Sequence, residues 1–205
     1  MSVLGSSLAV WYLMRASGVV SLLLLTAVFT LGIATTSRWH AGRLPRFVTL
    51  ALHRNISLLA VVFLVSHVVT AVVDPYAHVG LLATVVPLAA GRNALAIGLG
   101  TVSLDLVAAL IVSSLLRRHI GQRVWKGIHW LAYASWPLAL FHTLAAGTDG
   151  GTVWLLGLGV LCTGIVGAAV AWRLRGRMGA VKHQEPRPAP VALPTRSPAA
   201  PARAA

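Results

Sequence analysis

The sequence predicts an all-α integral membrane protein, a bundle of five transmembrane helices with a short interfacial or re-entrant helix in the 76–92 loop. Three observations predict it. Hydrophobic residues make up 57% of the 205 and charged residues only 10%. Mean hydropathy is +0.80, a balance foreign to soluble domains. The apolar runs are long, and the cations collect between them rather than inside them.

The first span covers residues 8–35 and carries one internal charge, Arg15. A basic loop over 37–46 follows, with Arg38, Arg43 and Arg46. Residues 47–73 form the second span, stopped by Asp74-Pro75 because proline cannot continue the helix. The stretch after it is apolar but too short to cross about 30 Å of hydrocarbon. Residues 93–116 form the third span with Asp105 near its middle, and 117–126 form a second basic loop. Residues 127–146 and 152–172 complete the bundle, joined by a Gly-rich turn at 148–151. The membrane-embedded unit occupies 1–180. The Pro/Ala-rich segment 181–205 cannot bury a core and reads as a disordered tail.

The net charge of +13 would suggest nucleic acid in a soluble chain. Here the cations sit at the span ends, so they set orientation instead, and no nucleic-acid partner is expected. Three follow the first span, four the third and seven the fifth. The positive-inside rule then places the N-terminus outside and the C-terminus in the cytoplasm of a bacterial-type plasma membrane. No basic segment precedes the first apolar run, so no cleaved leader is expected. Cys162 is the only cysteine, which excludes an internal disulfide and a cysteine-ligated cluster, and reads as a small buried apolar residue.

Four histidines carry the chemistry. His53 and His67 lie near the two ends of the second span, His129 and His142 near the ends of the fourth. Both spans run in the same direction, so the pairs match in depth. Fourteen residues of helix separate two side chains by about 21 Å, too far for one ion to bridge. Two centres, each taking one imidazole from each span, fit the spacing. A flat porphyrin between apolar helices needs such an axial pair. The expected pairs are His53 with His129 at the inner level and His67 with His142 at the outer. His53 and His67 share a helix face, about 40° apart. His129 and His142 are about 140° out of phase in a straight helix, so a kink or rewinding is expected at Pro137.

Histidine spacings of 14 and 13 on paired spans resemble the ferric-reductase-like transmembrane domain. That superfamily includes ferric reductases, NADPH oxidases and the haem-binding subunit of bacterial methionine-sulfoxide reductases. The resemblance covers about 13–146 and carries the four histidines onto its haem ligands. It implies a diheme b-type cytochrome moving electrons from a cytoplasmic flavin- or NAD(P)H-linked donor, through two b-type haems, to an outer acceptor. Two departures from the pattern bear on it. No flavin and NADPH module follows the spans, so a separate flavoprotein reductase, or FMN, FAD or quinone shared with a partner, is expected to deliver electrons. Ala71 stands where NADPH oxidases tend to carry a further histidine, which weakens an oxygen-reducing role.

Supporting residues have two readings each. Arg15 pairs with an outer-haem propionate or snorkels to the interface, and Arg54 pairs with an inner propionate or anchors the span. Asp105 is expected protonated and hydrogen-bonded, with proton movement or quinone contact as the alternative. Trp125, Trp130, Trp136 and Trp154 read as belt or packing residues, with electron relay as the alternative. His40 and His119 read as solvated loop residues. His78, in the outer cap, is a weaker candidate for a metal substrate. Two rival functions remain: an anchor or electron-delivery subunit of a partner reductase, and a small proton- or metal-coupled transporter. No inverted repeat supports the last.

Overall fold

A computed structural model describes residues 3–36, 45–77, 79–147 and 149–182. His40, His78 and residues 183–205 of the expected tail lie outside the described residues. The described chain is helical: α1 (Val3–Thr36), α2 (Arg46–Val73), α3 (Ala94–Leu115), α4 (Arg117–His129), α5 (Ala132–Ala146) and α6 (Val153–Lys182). Among the described residues, four segments are long and apolar enough to cross a membrane: Leu8–Thr35, Phe47–Val73, Ala94–Leu115 and Val153–Arg175.

The expected fourth span is where structure and expectation part. Residues 127–146 are not one helix. His129 ends α4, Trp130 and Leu131 form a turn, and α5 has 15 residues. At 1.5 Å per residue that is about 22 Å, short of the hydrocarbon thickness. The expected loop at 117–126 is instead most of α4, broken at Gly121 where φ is 76°. Glycine takes that angle without the steric cost a Cβ brings.

Helices with polar side chains inside apolar surroundings satisfy them locally. In α1, Ser21 donates to the carbonyl of Ser17 (2.7 Å), Thr26 to Leu22 (2.8 Å) and Thr30 to Thr26 (2.8 Å). No hydroxyl of that ladder is left to face hydrocarbon. Asp74 caps α2, and its Oδ1 accepts the backbone N–H of Tyr76 at 2.9 Å, a turn that aspartate favours. Among the described residues of the 76–92 loop only Leu81–Thr84 is regular, as one 3-10 turn. Its Leu81 and Leu82 face outward, while buried Ala83 accepts a bond from Thr101 of α3 at 2.7 Å.

Packing pairs the helices. α2 lies along α1 and α5 along α3, while α1 also meets α6 and α5. The central apolar cluster joins α1, α5 and α6 through Leu22, Trp136, Leu140, Cys162 and Val166. Cys162 is fully buried there. Trp136 donates from Nε1 to Thr26 Oγ1 (3.0 Å), and Ser103 donates to the Ser135 carbonyl (2.8 Å), tying α5 to α1 and α3. The main packing partner of α2 is α1, so α2 and α5 face each other across a gap.

Candidate functional site

Imidazoles cross that gap at two levels. The rings of His53 and His129 have centres 6.5 Å apart, and those of His67 and His142 are 6.2 Å apart. The sequence placed these four on paired helices, and the structure brings them together in the expected pairs. The phase problem is solved away from Pro137. The chain stays helical through Pro137. The rewinding lies around 130–131, where Trp130, Leu131, Tyr133 and Ala134 each donate to the carbonyl three residues back. Three residues per turn advances each side chain by about 120° rather than 100°, which swings His129 toward the azimuth of His142.

Three of the four rings are held by backbone. His67 Nδ1 bonds the Met14 carbonyl at 2.9 Å, His142 the Ala96 carbonyl at 2.8 Å, and His53 the Val28 carbonyl at 3.1 Å. A carbonyl only accepts, so each Nδ1 carries the proton and each Nε2 keeps its lone pair. His129 differs: its Nδ1 is buried without a hydrogen-bond partner among the described residues. Its ring instead lies against Trp125, with centres 4.8 Å apart.

Glycines make room for the rings. A Cβ on Gly18 would stand 2.9 Å from the His67 ring, and one on Gly100 would stand 2.5 Å from His142 Nδ1. Gly32 faces His53 more loosely, at 3.4 Å. The signal was present in the sequence: Gly18 and Gly32 are 14 apart on α1, the same interval as His53 and His67 on α2.

Around the His67–His142 pair lies a cavity of about 920 Å³, reached by Leu64, Leu104 and Ala139 among its apolar lining. Arg15, Arg92 and Asp149 also line it. Arg15 forms an ion pair with Asp149 and stacks its guanidinium over Trp11 at 4.8 Å. Asp149 and Arg92 were missed as site residues in the sequence because they lie in loops far from the histidines along the chain. Ala71 is on the cavity wall. Arg54 is exposed beside His53. Asp105 departs from expectation. It is exposed on α3 and has no hydrogen-bond partner among the described residues, because its helix turns the buried face of Thr101, Ser103 and Val107 inward instead. Of the tryptophans, Trp136 is packing, whereas Trp130 and Trp154 are exposed.

The donor set can be tested against a porphyrin. Two iron–imidazole bonds of about 2 Å, with about 1.1 Å from each bonded nitrogen to its ring centre, would separate the two rings by about 6.2 Å. Both pairs fit that span. Ring planes crossed at 61° and 74° are compatible, since an axial imidazole can rotate about its bond. Among the described residues no group of three or more His, Cys, Asp or Glu could hold a metal ion. Two protein ligands per level suit a group that brings its own equatorial nitrogens.

A polytopic helical membrane protein with two facing imidazole pairs is the class these features define. The family model for the ferric reductase like transmembrane component matches residues 17–140, and the chain belongs to that family. No curated protein and no solved structure matches it significantly. Membership carries a role in transmembrane electron transfer.

Proposed function

We propose that the protein is a diheme b-type membrane cytochrome. His53 and His129 hold one haem, and His67 and His142 hold the other. The observation that carries this reading is the pair of facing imidazoles at each of two levels, with ring centres at 6.5 and 6.2 Å. Bound there, the haems supply two one-electron carriers at different depths of the bilayer. The chain's own work is positional. Carbonyls of Met14, Ala96 and Val28 fix three ring tautomers, so the Nε2 atoms face the gap. Glycines at 18, 32 and 100 let neighbouring helices close on the rings. With one imidazole from each helix at each level, the four histidines would hold haems that supply electron transfer rather than a site for the molecule being reduced.

On this reading α5 and the end of α4 together make the fourth of five crossings. The N-terminus lies outside, so the His53 level is inner and the His67 level outer. Arg15 and Arg54 are the candidate propionate contacts, and Arg92 joins Arg15 at the outer cavity. A cytoplasmic flavoprotein supplies electrons, and an acceptor on the outer side takes them. The test is a reduced-minus-oxidised spectrum of the purified protein with haem counted per chain. Two low-spin bis-histidine b-haems are expected. A chain purified from haem-replete cells without such a spectrum would overturn the reading.

A further inference from the structure

The α4 segment joins α3 to α5, and its surface is unusual. Arg117, Arg118, Arg123 and Lys126 are all exposed on it, and it carries no acid. The chain has four acidic residues in all. Asp74 and Asp149 adjoin the outer-level loops, Asp105 is midway along α3, and Glu185 lies outside the described residues. Nothing described on the chain therefore neutralises α4. The second observation is aromatic. Trp125, half-buried among these cations, has the Arg117 guanidinium over its ring at 4.5 Å and the His129 ring centre at 4.8 Å. His129 is also the one ligand candidate whose Nδ1 no carbonyl holds. Positive-inside anchoring accounts for the charges, but it does not account for an indole tilted 32° against a site imidazole.

Resting on the haem reading above, we infer that α4 is the docking surface for an acidic flavin protein, and that its electrons reach the inner level through Trp125 and His129. The step is a one-electron transfer. The donor's reduced flavin is oxidised by one electron, and the ferric iron between His53 and His129 becomes ferrous, with no bond made or broken. Basic residues around the contact orient an acidic donor and raise its arrival rate, which makes docking sensitive to salt.

The test uses the haem-loaded chain in zwitterionic nanodiscs, with flavodoxin as the acidic one-electron flavin probe and reduced methyl viologen as a small control reductant. The Arg118→Glu/Arg123→Glu double variant should bind flavodoxin about tenfold or more weakly. Its haem spectrum should be unchanged, and methyl viologen should reduce it no more slowly. Trp125→Leu should leave binding intact and slow reduction at saturating flavodoxin, while Trp125→Phe keeps most of the rate. The inference is overturned if flavodoxin does not bind the wild type, or if either the double variant binds it normally or Trp125→Leu is reduced at the normal saturated rate. It is also overturned if the double variant changes only retention of added phosphatidylglycerol. Failure of the haem reading would show separately, as a missing spectrum, and flavodoxin binding to the haem-free chain would still decide the docking surface.

Discussion

The two imidazole pairs are built to different standards. At the His67–His142 level both Nδ1 atoms bond backbone carbonyls, at 2.9 and 2.8 Å, and both rings press on glycines. At the His53–His129 level one ring has a longer bond of 3.1 Å and a looser glycine, and the other has no carbonyl at all. Continuous helices supply the first level: α1, α2, α3 and α5 all run past it. The second level lies where α4 meets the turn at 130–131, so His129 is set by a joint rather than by a helix interior. A ligand held by backbone keeps its place without its cofactor. A ligand held by a neighbouring indole adjusts when the cofactor or a partner arrives. The difference teaches that the His67–His142 level is pre-formed and the His53–His129 level is the adaptable one.

The sharpest break in this comparison is removal of a ligand. His142→Ala should lower haem from two per chain to one, with the remaining spectrum that of the inner level, and His129→Ala should do the converse. Haem counting by pyridine haemochrome decides it, and retention of both haems in either variant would dissolve the paired assignment. Next in size is Gly100→Ala. The new methyl would stand 2.5 Å from His142 Nδ1 and 2.6 Å from its Cε1, so the ring or the α3 backbone must move. Overpacking of this kind costs about 1–3 kcal/mol. Outer-level haem should be lost at lower temperature, with the inner haem unaffected. Gly18→Ala should act at the same level but less strongly, since its contacts begin at 2.9 Å.

The comparison also explains what was legible in the sequence. His53, His67 and their shared face were readable because α2 is an unbroken helix, where spacing converts directly to geometry. His129 was readable in depth but not in azimuth, because the rewinding at 130–131 has no proline or glycine to announce it. Pro137 looked like the device and is not. The basic stretch at 117–126 read as a loop because its charges outnumber its apolar residues. Yet Ile120, Trp125 and Ile128 are less exposed than the cations around them, as on an amphipathic helix. Arg15 was legible as an oddity inside an apolar run, whereas its partner Asp149, 134 residues away, was not.

Asp149→Asn should have a smaller effect than the glycine changes. The carboxylate is about one-third exposed (32%) and Arg15 is 18% exposed, so the pair contributes about 1 kcal/mol or less. Its removal leaves the Arg15 charge less compensated beside the outer cavity. A cation favours the electron-rich state of a nearby carrier, so the outer haem's potential should rise while haem content stays full. Redox titration checks both. A fall in potential would mean that Arg15 leaves the cavity once Asp149 is gone.

The smallest effect is the most informative about the inner level. Gly32 faces His53 with its nearest would-be contact at 3.4 Å, an ordinary van der Waals distance. Alanine is favoured over glycine inside a helix by about 1 kcal/mol, which should offset any slight crowding of the ring. Gly32→Ala should therefore leave haem content and melting of the haem spectrum unchanged or marginally improved, where the same substitution at Gly18 or Gly100 is harmful. Equal damage at all three positions would mean that the inner ring is gripped as tightly as the outer ones, and the contrast between a pre-formed and an adaptable level would disappear.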